Sequence, residues 1–596
     1  MTEKAPLSTQ AESLVLSRDD TPRVHIEGTK KSAMETGRNR LLVTGMVVFM
    51  AFALVGGRLI TVVTSSPDIT KKTARTTAKP TVATRGEIVD RNGIILATSL
   101  PIASLYADPQ EILNVDEAAD KLSVILPSLS REEFRVKLSG KGRFVWLRRN
   151  LTPQQVYNIN ALGIPGISFE DGERRVFPHG RTASHLLGMT DVDGKGIAGI
   201  ERYFDDALRQ AGHRVQLSID LRIQAILHQE LSAAVARFEA LGAAGVILDA
   251  QTGEVAAMVS LPDFNPNNIG TMQGEAAFNR VTKGVYEMGS TFKLLTAAMA
   301  LDSGKIKLED RYDATKPIRI ARFTIADYHP KNRWLSVPEI LIYSSNIGSA
   351  KMALHLGGKM QKAYLRKLGL LRQLSVELPE VGTPLSPVPW RDINTMTISY
   401  GHGIAITPMQ MAAAIATVVN GGYYLTPTLL KRDKPKPGGD VIQQVFSKKT
   451  SEKMRNLMRL VVARGTGRKA AVPGYRVGGK TGTAEKQGNG VYRKKALISS
   501  FVAAFPIEAP RYVLLVLVDE PKGNKSTYYY ATGGWVAAPV IKKLVERIAP
   551  MVGIQPIHDG VTDKPNKSNV KKQNTAPVKA AFARKDVRAE ERNGAR

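Results

Sequence analysis

Ser290 and Lys293 are the pair in this chain whose types and spacing suit covalent chemistry; they stand three residues apart in Tyr286-Glu287-Met288-Gly289-Ser290-Thr291-Phe292-Lys293. A glycine precedes the serine and an apolar run, LLTAAMAL, follows the lysine, so Ser290 is expected to open a helix. Residues three apart share a helix face, which brings hydroxyl and amine into one cleft. A serine hydroxyl is a poor nucleophile at neutral pH and needs a neighbour to take its proton, a task an uncharged lysine can perform. Lowering a lysine from about 10.4 to near 7 costs about 4 to 5 kcal/mol, which burial and a nearby cation can supply. Lys480 is a candidate for that cation.

Ser-x-x-Lys alone carries little weight, since Ser568-Asn569-Val570-Lys571 repeats the spacing near the end of the chain. What singles out the first instance is its company, Ser344-Ser345-Asn346 and then Lys480-Thr481-Gly482-Thr483. A second serine can relay a proton to a leaving amine, and an asparagine can hold a substrate amide. A Lys-Thr-Gly strand can present backbone N–H groups to a peptide, with Gly482 expected to leave room for close approach. Cysteine is absent, which removes disulfides, thiolate nucleophiles and Cys-based metal sites. His329 and His402 lack metal-ligand spacing, so neither a metal nor a cofactor is expected. The glycines of Ser399-Tyr400-Gly401-His402-Gly403 are expected to pack in the cleft wall.

The elements that must position these residues are legible from periodicity. Asp220 can cap a helix whose apolar positions are Ile223, Ile226, Leu227 and Leu231. Ala243 to Pro262 reads as a hairpin turning at Asp249 to Gly253, and Thr407-Pro408-Met409-Gln410 as a capping box opening a helix to Gly421. ALISSFVAAF and RYVLLVLVDEP read as buried strands late in the chain. Strands at both ends with helices between predict an α+β domain over 219–553, its one antiparallel sheet closed by first and last strands. Upstream, 64–218 reads as a mixed platform, entered through a basic stalk (Lys71 to Arg85) and a strand–turn–strand, RGEIVDRNGIILA, about Asp90 to Gly93. Residues 554–596 are too polar to form a core and read as a disordered basic tail.

Leu41 to Val63 is almost wholly apolar, and about 20 such residues suffice to span a bilayer. Arg23, Lys30, Lys31, Arg38 and Arg40 outnumber Glu27 and Glu35 before it, which places residues 1–40 in the cytoplasm and the folded mass outside. A cleaved signal would carry a shorter apolar region and an A-x-A-like site, which is lacking. Arg58, near the outer end, can snorkel to the headgroups. The net charge of +29 then reads as attraction to anionic lipid headgroups or a carboxylate-rich polymer, and no nucleic-acid partner is expected.

The trio Ser290-x-x-Lys293, Ser344-Ser345-Asn346 and Lys480-Thr481-Gly482 resembles that of β-lactamases and penicillin-binding proteins. With the anchor and the long module before the serine, the chain is most similar to the class B penicillin-binding proteins, of the division-specific septal type. RGEIVDRNG, Arg175-Val176-Phe177-Pro178-His179-Gly180 and Gly196-Ile197-Ala198-Gly199-Ile200-Glu201 look like the family's pedestal motifs. One departure is Met288, where the family usually has proline.

The resemblance implies a peptidoglycan D,D-transpeptidase in the bacterial inner membrane, single-pass, with a periplasmic catalytic domain. Ser290 would be acylated by stem peptides ending in D-Ala-D-Ala, and by β-lactams. Lys293 would be the base, Ser344 the proton relay, Asn346 the residue orienting Lys293 and substrate, and Lys480 the cation near the substrate carboxylate. The hydroxyls of Thr481 and Thr483 would bind that carboxylate, and the backbone N–H groups of Ser290 and Thr483 would form the oxyanion hole. A polytopic glycan polymerase and other division proteins are the implied membrane partners. The competing readings are an elongation-type transpeptidase, a D,D-carboxypeptidase or β-lactamase, and a division scaffold with a vestigial site.

Overall fold

Sequence periodicity divides the chain into an apolar segment and a long mixed region, and the computed structural model describes residues 29–64, 84–210, 212–320, 323–432, 443–488 and 491–557. The residues through Val82 and those from Ala83 onward form two separate units. In the first, helix α1 (Thr29–Thr64) contains a 20-residue stretch, Arg40–Leu59, of mean hydropathy 1.9, long and apolar enough to cross a membrane. The helix starts well before the apolar run because the basic residues from Lys30 to Arg40 are themselves sound helix formers. The rest of the stalk, up to residue 83, and the Ser568–Lys571 repeat lie outside the described residues.

The second unit opens with β1 (Ile88–Val89), turning at Asp90 into the long β2 (Ile95–Ala107). Helices α2 (Val115–Ile125) and α3 (Arg131–Leu138) follow, then β3 (Val145–Leu151), α4 (Pro153–Asn160) and β4 (Ile167–Val176). Both β3 and β4 pair antiparallel with β2, while β5 (Val215–Gln216) runs parallel to β1. Arg85, which sequence alone assigns to the end of the stalk, is buried in this module. It meets Glu201 at 2.7 Å, and Arg175 meets the other oxygen of the same carboxylate at 2.7 Å. The three pedestal-like motifs thus converge on one buried ionic triad, supplemented by Arg85 to Asp205 at 2.7 Å.

From Asp220 the expected elements appear in order. Helix α5 (Leu221–Arg237) is capped by the Asp220 carboxylate and buries Ile223, Leu227 and Leu231. The hairpin β6 (Gly242–Asp249) and β7 (Val255–Leu261) follows, then α6 (Phe292–Asp302), α7 (Val337–Tyr343) and α8 (Asn346–Leu356). Helix α9 (Pro408–Val419) has the capping box of Thr407 and Gln410, but stops before Gly421 and Gly422, which take φ of +100° and +96°. Next come α10 (Lys448–Arg464), β8 (Gly478–Gly488), β9 (Val491–Phe505), β10 (Tyr512–Asp519) and α11 (Ala537–Met551).

The sheet order is β8-β9-β10-β6-β7, every pairing antiparallel, so the first hairpin joins the last strands through β10 and β6. All of β10 is buried because both faces of the sheet are covered. Val513, Leu515 and Leu517 face the cluster holding α6 and α9, while Leu514, Val516 and Val518 face α5 and α11. The first residues of the expected tail belong to this domain: Ile554 N–H donates to Ala549 and Ile557 N–H to Gly474. Residues 558–596 lie outside the described residues.

Candidate active site

Gly289 to Thr291 form a single 3-10 turn that feeds directly into α6, so Ser290 sits at the mouth of a helix whose next ten residues are all buried. Gly289 adopts φ +55°, and a Cβ there would lie 2.5 Å from the carbonyl oxygen of Thr483. Only glycine lets the nucleophile turn meet β8 backbone to backbone. Gly482 serves the same contact from the other side, since its Cβ would strike Ser500 Oγ at 2.2 Å and the Met288 carbonyl at 2.7 Å. Gly482 thus makes room for the protein's own turn. Met288 is buried with φ −82°, near the angle a proline ring would impose, and its carbonyl accepts the Thr291 hydroxyl.

Lys293 Nζ lies 2.8 Å from Ser290 Oγ, 2.7 Å from Asn346 Oδ1, 2.9 Å from the Ser344 carbonyl and 3.2 Å from Ser344 Oγ. The asparagine and carbonyl oxygens can only accept, so they take two N–H bonds. A neutral amine has two hydrogens and one lone pair, and that lone pair is left for the Ser290 hydroxyl to donate into. Lys293 is fully buried; burial first, then the charge of Lys480, holds its pKa well below the ordinary lysine value, against a smaller opposing pull from Asp327.

Ser344 ends α7 at φ +60°, an unusual left-handed conformation for a residue with a Cβ, and this kink turns its hydroxyl between the two lysines. Ser345 caps α8 through Gly348 N–H and gives its hydroxyl to Asp327 at 2.7 Å, while Ile347 N–H donates to the same carboxylate. Asn346 donates its amide to the Ala326 carbonyl at 2.9 Å, which orients its oxygen toward Lys293.

Lys480 reaches in from β8, an edge strand, and contacts Ser344 Oγ at 2.9 Å, Thr481 Oγ1 at 3.2 Å and Thr466 Oγ1 at 3.4 Å. Burial pushes it down to about 7. The Thr481 and Thr466 hydroxyls are 2.9 Å apart, whereas Thr483 Oγ1 accepts from Gly533 N–H. The structure therefore brings Ser290, Lys293, Ser344, Asn346, Lys480 and Thr481 into one connected network, with Gly482 and Thr483 at its wall. As the edge strand among the described residues, β8 leaves one row of N–H and C=O groups without a strand partner there, a surface along which an extended peptide can pair.

Two contributors escape sequence reasoning. Thr466 is flanked by Gly465 and Gly467 between a helix and a strand, a weak signal at best. Asp327 carries none. Gly401, with φ +83°, accepts Gly289 N–H and lies so close that its Cβ would meet the Gly289 carbonyl at 2.2 Å; the glycine-rich segment thus braces the nucleophile turn itself. His402 is held near 4, chiefly by burial, and no group of three metal-ligating side chains occurs among the described residues.

Comparison with known proteins gives consistent matches. Residues 243–546 match the penicillin-binding protein transpeptidase domain and residues 80–220 the penicillin-binding protein dimerisation domain. A Caulobacter vibrioides protein named probable peptidoglycan D,D-transpeptidase FtsI is 41% identical, over 79% of this chain and 82% of its own length. The peptidoglycan D,D-transpeptidase FtsI of Escherichia coli K12 is 34% identical over 85% and 91%. Among solved structures, penicillin-binding protein 3 of Mycobacterium tuberculosis, complexed with aztreonam, has a TM-score of 0.64 at 23% identity, covering 80% of this chain and 97% of that one.

Proposed function

The chain belongs to the class B penicillin-binding proteins and is a peptidoglycan D,D-transpeptidase of the septal FtsI type, and we propose from that premise how its residues divide the work. Ser290 Oγ forms a bond to the penultimate D-Ala carbonyl carbon as its proton passes to Lys293 Nζ. The backbone N–H groups of Ser290 and Thr483 receive the developing oxyanion, each such donor being worth about 10²- to 10³-fold in rate. Collapse breaks the peptide C–N bond, and terminal D-Ala leaves with the proton returned through Ser344. The acceptor amine then attacks the acyl carbon and gives its proton to Lys293, which passes it to Ser290 Oγ as the ester bond breaks, restoring the free enzyme. Asn346 holds Lys293 and the substrate amide, while Lys480 and Thr481, with Thr483, bind the substrate carboxylate.

The observation that carries this assignment is the set of partners of Lys293, two of them obligate acceptors, which leaves its lone pair for Ser290. Intact-protein mass spectrometry after excess benzylpenicillin tests it. A stable adduct mapping to Ser290 in wild type, and absent from Ser290→Ala, is expected. Rapid turnover without an adduct would instead indicate a β-lactamase, and no reaction at all would leave only a scaffold.

The apolar helix and the relatives fit a single-pass membrane protein. Its basic flank supports a cytoplasmic N-terminus with the catalytic domain in the periplasm. The domain limits 1–40, 41–63, 64–218, 219–553 and 554–596 are part of the same proposal, as is a polytopic glycan polymerase beside the helix. Asp220 capping α5 supports the boundary at 218/219.

A further inference from the structure

Helix α10 buries Met454, Leu457, Met458, Val461 and Val462 and turns its opposite face to two adjoining depressions of about 650 and 640 Å³, which share Arg455 and Glu508. Lys448, Arg455 and Arg511 line the first; Arg455, Arg459, Arg464 and Arg476 line the second. Among the described residues that line them the carboxylates are Glu452 and Glu508, the latter 3.2 Å from Arg476, and both Arg459 and Arg476 make further contacts. Like charges gathered along one face repel, and a concave wall of one sign focuses its field on an anion. The groove also has a direction. Its lining includes Arg464, and two residues further on the Thr466 hydroxyl reaches Thr481 and Lys480 in the catalytic network. Helix α10 thus leads from a cationic groove to the end of the cleft where a substrate carboxylate is proposed to bind.

We propose that this groove is a second binding site for the carboxylates of peptidoglycan stem peptides, holding a neighbouring peptide beside the cleft while Ser290 is occupied. The inference rests on the transpeptidase reading in one respect, the identity of the polymer; its geometry is independent of Ser290. A stem peptide suits the groove because it is a short, carboxylate-bearing chain present at high local concentration around this enzyme.

The test uses the full chain in micelles of a zwitterionic detergent, with Ser290 first acylated by benzylpenicillin so that the catalytic site is closed. Acylation is scored separately by mass, so a failure of the Ser290 reading shows there and not in the binding arm. A fluorescently labelled stem pentapeptide is then titrated and its anisotropy followed. Saturable, salt-sensitive binding is expected, weakened about tenfold or more by the charge reversals Lys448→Glu and Arg464→Glu together, both at exposed positions. The pair Lys448→Arg and Arg464→Lys should bind as wild type, and a pentapeptide with its carboxylates amidated should not bind. Absence of binding to the acylated protein, equal binding by the reversed variant, or displacement by polyglutamate as readily as by unlabelled pentapeptide would each overturn the proposal, the last by assigning the groove to any acidic chain.

Discussion

At the scale of the residue, the chemistry turns on a lysine whose burial, with nearby charges, holds its pKa well below the ordinary lysine value. Two opposing charges tune Lys293, and each makes a prediction with a definite sign. Because its pKa is held well below the ordinary lysine value, acylation should persist to lower pH than an ordinary lysine base would allow and fall as acid returns the proton to the amine. Lys480→Ala removes a cation that disfavours protonation, so the acid limb of the acylation profile should move to higher pH. Asp327→Asn removes a charge that favours protonation, so the same limb should move to lower pH. Measuring penicillin acylation rates across pH for the two variants checks both signs. Movement of both limbs in one direction would rule out Lys293 as the titrating base.

At the scale of the element, the site is a contact among the start of α6, the Ser344 kink and the edge strand β8. Glycines at 289 and 482 set the spacing between turn and strand, and with it the separation of the two proposed oxyanion donors. Gly289→Ala should therefore cost activity as well as stability. A Cβ that must part Thr483 from the turn should lower acylation by about 10²-fold or more, as loss of an oxyanion donor does. Overpacking of this kind lowers stability by about 1–3 kcal/mol, similar in free energy to that loss of rate. Stopped-flow acylation beside a thermal melt separates the two. Periodicity revealed these elements almost individually, since α5, the β6–β7 hairpin, α9 and β10 all follow from spacing and caps. Their approach to one another did not, because backbone contact through glycine has no side-chain pattern to announce it.

At the scale of the whole molecule, the pedestal is tied together by Arg85, Arg175 and Glu201, three charges buried to 8% exposure or less. Glu201→Ala would strand two buried guanidinium groups, and breaking such a pair costs about 3–5 kcal/mol. Limited proteolysis should then open the region between residues 84 and 218 much faster than in wild type, with penicillin still acylating Ser290. A pedestal as resistant as wild type would show that the triad is not what holds it. The packing also explains why the pedestal does not separate cleanly from the catalytic domain: Ile88, Leu96 and Phe177 share a hydrophobic cluster with α6 and α9. Asp90, in the first hairpin, accepts the Leu221 N–H at the start of α5.

By itself the sequence determined what is local: the serine and lysine on one helical face, the order of the three catalytic motifs, the strands and capped helices, and the apolar span. Those properties depend on residue type and near spacing. Only the tertiary structure decided which groups lose their water and which charges meet. Burial lowers Lys293 and Lys480 together, Asp327 and Thr466 enter the network from segments with no telling pattern, and three motifs of the pedestal prove to share a single carboxylate. Desolvation and long-range pairing are properties of the packed chain, because each requires partners distant in sequence to arrive at the same place.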